Sequence, residues 1–185
     1  KQVPDTTEVK LDPVTGTLIR DGVPSIINPD DKAALEVALQ IKEKTGAKVT
    51  VVSMGPMQAD VALREALAMG ADDAVLVSDR KFGGADTWAT SSTIAGAIKN
   101  LEYDLIVAGR QAIDGDTAQV GPQIAEHLGI PHVSYAASVE VEGDDTVVIR
   151  RNFEDRYHII EAKTPLLITT LGEEIEPRYM SVGGI

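Results

Sequence analysis

The sequence predicts an α/β fold: an open parallel sheet flanked by helices, followed by an antiparallel extension. Three observations carry this prediction. Over the first two thirds, short β-branched runs alternate with helical runs of roughly 10–16 residues, the pattern of βαβ units. From His132 onward the helical periodicity gives way to extended segments. The 185 residues, 43% of them hydrophobic, suit one domain of ordinary size with its own core.

Each element has a local reason. Asn28-Pro29 opens a helix through Lys44, because Asn suits the cap and Pro the first helical position. Leu35, Ala38 and Leu39 make its apolar stripe, and Gly46 is its stop. Lys48 to Met54 is a strand by its β-branched content. Gly55-Pro56 opens a second helix, with Ala59, Leu63, Ala66 and Leu67 on one face and Gly70 at its end. Ala74 to Val77 is a further strand. A helix follows from Asp86 or Thr87, with Ile94, Ile98 and Leu101 at helical spacing, and then the strand Leu105 to Gly109. The last helix aligns Val120, Ile124 and Leu128 and closes at Gly129 and Pro131. His132 to Val141, Thr146 to Arg151, Arg156 to Ala162 and Leu166 to Thr170 read as extended, with a hairpin turn at Gly143-Asp144-Asp145. Lys1 onward reads like the exit of a strand, and Ser181 to Ile185 like the opening of a loop, so the sequence reads as part of a longer chain.

In open α/β sheets, ligands bind beyond the carboxyl ends of the strands. Three strand ends qualify: Asn28 to Asp31, Ser53 to Pro56, and Gly109 to Gly121. The third is the richest. Gly109, Arg110, Gln111, Ala112, Ile113, Asp114, Gly115, Asp116, Thr117, Ala118, Gln119 and Val120 run from a strand end into a helix start. Gly109 and Gly115 lack a Cβ, which lets backbone N–H groups approach a phosphate. A helix beginning near Asp116 would offer unpaired N–H groups and partial positive charge to an anion. Thr117 and Gln119 can add side-chain hydrogen bonds. Asp116 reads as the helix N-cap, and Asp114 as a turn residue or a partner for nucleotide hydroxyls. The competing reading is an ordinary strand-to-helix loop with a well-capped helix. The glycine spacing matches neither a Walker A loop nor the dinucleotide fingerprint. Asn28, Pro29, Asp30 and Asp31 could face an adenine or ribose, or simply start a helix; Met54 could lie against a flat ring, or be core.

Other chemistry is disfavoured. There are no cysteines, which excludes disulfides, thiolate metal sites and thiol nucleophiles and fits a cytoplasmic protein. The net charge of −12 disfavours a nucleic-acid backbone or an anionic membrane surface as partner. No apolar run approaches the roughly 18 residues of a membrane span. His127, His132 and His158 have no metal-ligand spacing, no nucleophile turn is present, and no catalytic acid, base or nucleophile is assigned. Glu173, Glu174 and Glu176 form an acidic cluster suited to a surface or docking loop.

The segment from Gly109 to Gly121 resembles the nucleotide loop of the electron transfer flavoprotein β subunit. Asn28-Pro29, Val52 to Pro56, Ala66 to Asp72 and Glu176 to Tyr179 match further landmarks of that family in order, and the region from Arg150-Arg151 to Thr170 matches more loosely. The resemblance spans nearly the whole chain. It implies an open parallel sheet of the adenine-nucleotide-binding type. It also implies a heterodimer with an α subunit, which carries electrons between flavoprotein dehydrogenases, such as an acyl-CoA dehydrogenase, and other acceptors. One FAD sits mainly in the α subunit and a second nucleotide in the β subunit. That second nucleotide is AMP in the ordinary branch. In the electron-bifurcating branch it is a second FAD, which accepts hydride from NADH.

Carried over by position, the nucleotide site comprises Asn28 to Asp31, Met54 and Gly109 to Val120, and Val182 is the nearest match to an apolar residue that anchors the partner dehydrogenase. The wording Gly-Asp-Thr-Ala-Gln-Val-Gly resembles the bifurcating branch; AMP-only members tend to read Asp-Asp-x-Asn-Gln-Thr-Gly. Gly115 in place of an Asp removes a carboxylate beside the phosphates and so eases a diphosphate. The family's first strand would lie upstream of Lys1, and its C-terminal arm beyond Ile185. Three readings follow: a bifurcating β subunit holding FAD and using NADH, a carrier subunit holding structural AMP, and, from another class, a free-standing ATP-binding regulatory module.

Overall fold

A computed structural model of the protein describes residues 1–5, 13–14 and 24–184. Two short strands, β1 (Gln2–Pro4) and β2 (Ser25–Ile27), pair antiparallel and lead into the 17-residue helix α1 (Pro29–Thr45). β3 (Thr50–Met54) and β4 (Asp73–Val77) pair in parallel around α2 (Asp60–Met69). After α3 (Thr87–Ile98), five strands form one sheet: β5 (Leu105–Gly109), β6 (His132–Glu142), β7 (Thr146–Asn152), β8 (Tyr157–Lys163) and β9 (Leu166–Thr170), with α4 (Val120–Leu128) between β5 and β6.

The order of that sheet is β5-β9-β6-β7-β8, and it corrects one expectation. The last strand does not continue the antiparallel extension. β9 is inserted between β5 and β6 and runs parallel to both, while only β6, β7 and β8 form the antiparallel meander. The physical reason is visible in the residues. Leu166-Leu-Ile-Thr-Thr170 is buried at every position, so it needs cover on both faces, the environment of an interior parallel strand. β8 by contrast is largely exposed and forms the sheet edge. The hairpin between β6 and β7 turns at Gly143 to Asp145 as expected, with Gly143 at φ 66°.

Helix boundaries follow the local signals with two changes. Gly46, Gly70 and Gly129 end α1, α2 and α4, all with positive φ. Gly55-Pro56 does not open α2 directly. A single 3₁₀ turn (Met57–Ala59) intervenes and the α-helix begins at Asp60. α4 begins at Val120 rather than near Asp116. Asp116 and Ala118 have φ of 48° and 52°, a left-handed backbone that cannot lead into a helix. Gln119, not Asp116, holds the cap position and makes no side-chain cap bond.

Three apolar clusters hold the elements together. Leu35 and Leu39 of α1 pack with Val49, Ala66 and Met69 beneath the β3–β4 pair. Val133, Val147, Ile149, Leu166 and Ile168 fill one face of the large sheet. On its other face, Leu167 meets Ala95 and Ile98 of α3 and Ile124 and Ala125 of α4. Among the described residues, β3 and β4 share no ladder with β5. A cleft opens between these parts at the carboxyl ends of β3 and β5, with Ser53 and Met54 on one side and Ala108 and Gly109 on the other. Among the described residues no helix is long and apolar enough to cross a membrane, and no group of acidic or histidine side chains could hold a metal ion.

Candidate nucleotide cleft

The cleft gathers most of the expected site. Asp31, Met54, Gly109, Arg110, Gln111, Ala112, Asp114, Gly115, Asp116, Thr117, Ala118, Gln119 and Val120 all line it. Asn28, Pro29 and Asp30 do not, and lie behind the loop at the start of α1; nor does Ile113, a loop residue whose side chain is exposed. Val182 lies elsewhere, 94% exposed on a turn against the end of α2.

Asn28 shows what the rear residues do. It occupies the N-cap position of α1, yet its side chain makes no cap bond. Its amide nitrogen donates to the carbonyl of Gln111 at 2.7 Å, and its amide oxygen accepts from the N–H of Ile113 at 3.0 Å. The fully buried amide therefore reads the loop backbone in both senses. The two acids that follow act in the same way. Asp30 accepts from the backbone N–H of Gln111 at 3.3 Å and of Gly172 at 3.1 Å, which ties the exits of β5 and β9 to one carboxylate. Asp31 accepts from the N–H of Gly109 at 3.0 Å. The first turn of α1 thus grips residues 109–113 by four of their backbone groups.

That grip explains Gly109 differently from the sequence reading. A Cβ there would sit 2.6 Å from the Asp30 carbonyl carbon and the Asp31 nitrogen, so the glycine makes room for α1 rather than for a ligand. Gly115 is the opposite case, for a Cβ would meet nothing within 4 Å. Between them the chain turns tightly, with the N–H groups of Gly115 and Asp116 both donating to the carbonyl of Ala112. Asp116, freed from the capping role, accepts from the side-chain amide of Gln111 at 3.0 Å. Asp114 is ion-paired with the Lys1 ammonium at 2.6 Å, which offsets one negative charge on this wall. Arg110 turns its buried Nε toward Asp30 Oδ2 at 3.4 Å, an ion pair without hydrogen-bond geometry.

One wall of the cleft was not anticipated. The exit of β4, from Ser78 through a 3₁₀ turn (Arg80–Phe82) to Thr87, lines it opposite the Gly109 loop. The hydroxyl of Thr87 donates to Gln119 at 3.1 Å and accepts from Gln123 at 3.4 Å, joining the two walls. The signal was present in the sequence. Gly83-Gly84 follows an apolar strand run and precedes Asp86, which caps α3 by accepting from the N–H of Ala89 at 2.8 Å. Arg178 was also missed. Its guanidinium meets Glu36 and Glu43 on α1, far along the same helix.

Comparison with known proteins identifies the family. The family described as "Electron transfer flavoprotein domain" matches residues 15–183. The electron transfer flavoprotein subunit beta of Clostridium acetobutylicum is 69% identical over 182 residues, covering 98% of this chain and 70% of that protein. The caffeyl-CoA reductase-Etf complex subunit CarD of Acetobacterium woodii is 60% identical over 187 residues, covering all of this chain and 71% of that protein. The acryloyl-CoA reductase electron transfer subunit gamma of Anaerotignum propionicum is 54% identical over 190 residues, covering all of this chain and 70% of that protein. With a family match over nearly its whole length, and relatives this similar, the chain belongs to the electron transfer flavoprotein β-subunit family.

Proposed function

We propose that this chain is a single α/β nucleotide-binding domain that holds FAD in the cleft and, paired with an α subunit in the cytoplasm, takes electrons from NADH by flavin-based bifurcation. The observation that carries the reading is the Gly115 turn. It is open and one neighbouring carboxylate is paired with Lys1, so this wall suits a diphosphate. The flavin, when bound, supplies the hydride and electron chemistry. The chain's own part is positional. Asn28, Pro29, Asp30 and Asp31 support the loop from behind, Arg110 to Val120 face the phosphates and ribose, and Met54 faces the ring across the cleft. The names of two relatives place them in caffeyl-CoA and acryloyl-CoA reductase systems. An acyl-CoA dehydrogenase or related flavoprotein is accordingly the expected electron partner, docking at Val182.

The test is the nucleotide content of the intact αβ heterodimer. Two FAD per heterodimer, with flavin reduction by NADH, is the expected result. One FAD plus one AMP would overturn the FAD assignment and leave a carrier whose β subunit holds AMP. A stable homodimer that needs no α subunit would instead point to a free-standing regulatory module.

A further inference from the structure

The segment after β9 ends in a turn with two nearly bare side chains, Tyr179 at 93% and Val182 at 94% exposed. Such a segment would ordinarily be expected to move. Here it is fastened on both sides. On one side Arg178 gives three hydrogen bonds to a single carboxylate, that of Glu36. Its backbone N–H donates to Oε2 at 3.1 Å, its Nε to the same oxygen at 2.8 Å, and one terminal nitrogen to Oε1 at 3.0 Å. The other terminal nitrogen reaches Glu43. Gln40 completes the ring by donating to Glu36 Oε1 at 2.9 Å. Glu36, Gln40 and Glu43 stand at helical spacing on one face of α1, so the helix itself supplies the receptor for the guanidinium.

Glu36 is only 5% exposed. A buried carboxylate is costly unless both its charge and its lone pairs are met, and Arg178 and Gln40 meet them. Immediately before Val182, the N–H and hydroxyl of Ser181 both donate to the carbonyl of Ala68 on α2, at 3.0 and 3.2 Å. Gly184 lies so close to that helix that a Cβ would be 2.8 Å from the Ala68 Cα and oxygen. Val182 is thus the exposed tip of a turn whose two feet stand on different helices.

We infer that Arg178 is a positioning residue for partner docking: its fork on Glu36, with the Ser181–Gly184 foot on α2, holds Tyr179 and Val182 in place before any partner arrives. The idea rests on the docking role proposed above for Val182. A loop ordered in advance does not have to be ordered on binding, and that saving appears as affinity. Lysine cannot replace the arginine, because a point charge lacks the planar fork that matches the carboxylate.

The experiment uses the intact αβ heterodimer with an acyl-CoA dehydrogenase as the docking partner. Arg178→Met, Arg178→Lys, Gly184→Ala and Val182→Asp are compared for hydrogen exchange at the amides of 179–184, for nucleotide content and for dehydrogenase affinity. The expected result is faster exchange in Arg178→Met and Gly184→Ala, with Arg178→Lys in between. Affinity should fall about tenfold in the first two, with nucleotide content unchanged. Unchanged exchange in Arg178→Met would overturn the clamp. Faster exchange with full affinity, while Val182→Asp binds poorly, would overturn the positioning role and leave the docking site standing. Full affinity in Val182→Asp would remove the docking site itself, and with it the role assigned to Arg178.

Discussion

Two exposed loops are held by the same helix, and they are held in different ways. The first turn of α1 fastens the Gly109 loop through Asn28, Asp30 and Asp31, all on its first half. Beyond Asp114 the loop runs exposed, through two residues with positive φ, until Gln119 meets Thr87. Further along α1, Glu36 fastens the Tyr179–Val182 turn, and α2 fastens its far end. A long loop anchored only near its ends leaves a middle stretch of exposed backbone that can shape itself around a ligand. A short turn anchored at both feet presents its side chains in a set place. The first arrangement suits a nucleotide, the second a macromolecular surface.

The largest break in this comparison should come from Gly109→Ala. The added methyl would collide with backbone atoms of Asp30 and Asp31, which cannot rotate away. The expected cost is about 3 kcal/mol, the upper part of the overpacking range, read by urea denaturation of the heterodimer. Asn28→Ala comes next. It strands the N–H of Ile113 and the carbonyl of Gln111, which should cost about 2 kcal/mol and lower the nucleotide retained after gel filtration. A variant with full nucleotide content would show that the loop does not depend on its support from behind.

The second loop is sharpened by pH. Burial pushes the Glu36 carboxyl up, but the hydrogen bonds from Arg178 and Gln40 outweigh it and hold the group below its ordinary value of 4.5. Glu43 is lowered too, by its hydrogen bond to Arg178, whose guanidinium is correspondingly raised. A carboxylate with a lowered folded value stabilises the fold fully above its unfolded value and loses that contribution as pH falls through the folded one. Stability measured from pH 7 downward should therefore hold to about pH 4.5 and then decline. Glu36→Gln should flatten that decline, and an unchanged slope would exclude the clamp as its source.

The smallest effects belong to Gly115. Its backbone does not need a glycine φ and its Cβ would meet open space, so Gly115→Ala should alter stability by less than about 0.5 kcal/mol. Gly115→Asp returns a carboxylate to the turn. It should weaken a bound dinucleotide by about 1 kcal/mol, the repulsion of unit charges about 4 Å apart in water. Titration of the nucleotide-stripped heterodimer with FAD and with AMP measures it, and equal losses for both would remove the charge argument for a diphosphate.

Much of the fold could be read from particular residues. Asn28-Pro29 and Gly46 bound α1, Gly143-Asp144-Asp145 turned the hairpin, and the β-branched runs became β3 to β5, because these signals act through the backbone of a few neighbouring residues. Asp116 misled for a complementary reason. As a sequence position it is a good cap, but the tight turn onto the Ala112 carbonyl leaves it at positive φ and delays α4 to Val120. Local preference lost there to the path that a loop already gripped by Asn28 must take. The glycine pair at 83–84 marks the exit of β4, the wall of the cleft opposite the Gly109 loop.

By itself, then, the sequence determined which segments would be helix or strand, that a parallel α/β sheet would form, and which glycines would end the helices. All of these depend on residues near one another in the chain. Only the tertiary structure decided that β9 inserts between β5 and β6, that Gly109 yields space to α1, and that Arg178 finds Glu36 across 142 positions. Those outcomes depend on which buried group lacks a partner and which distant one can supply it, and no periodicity records that.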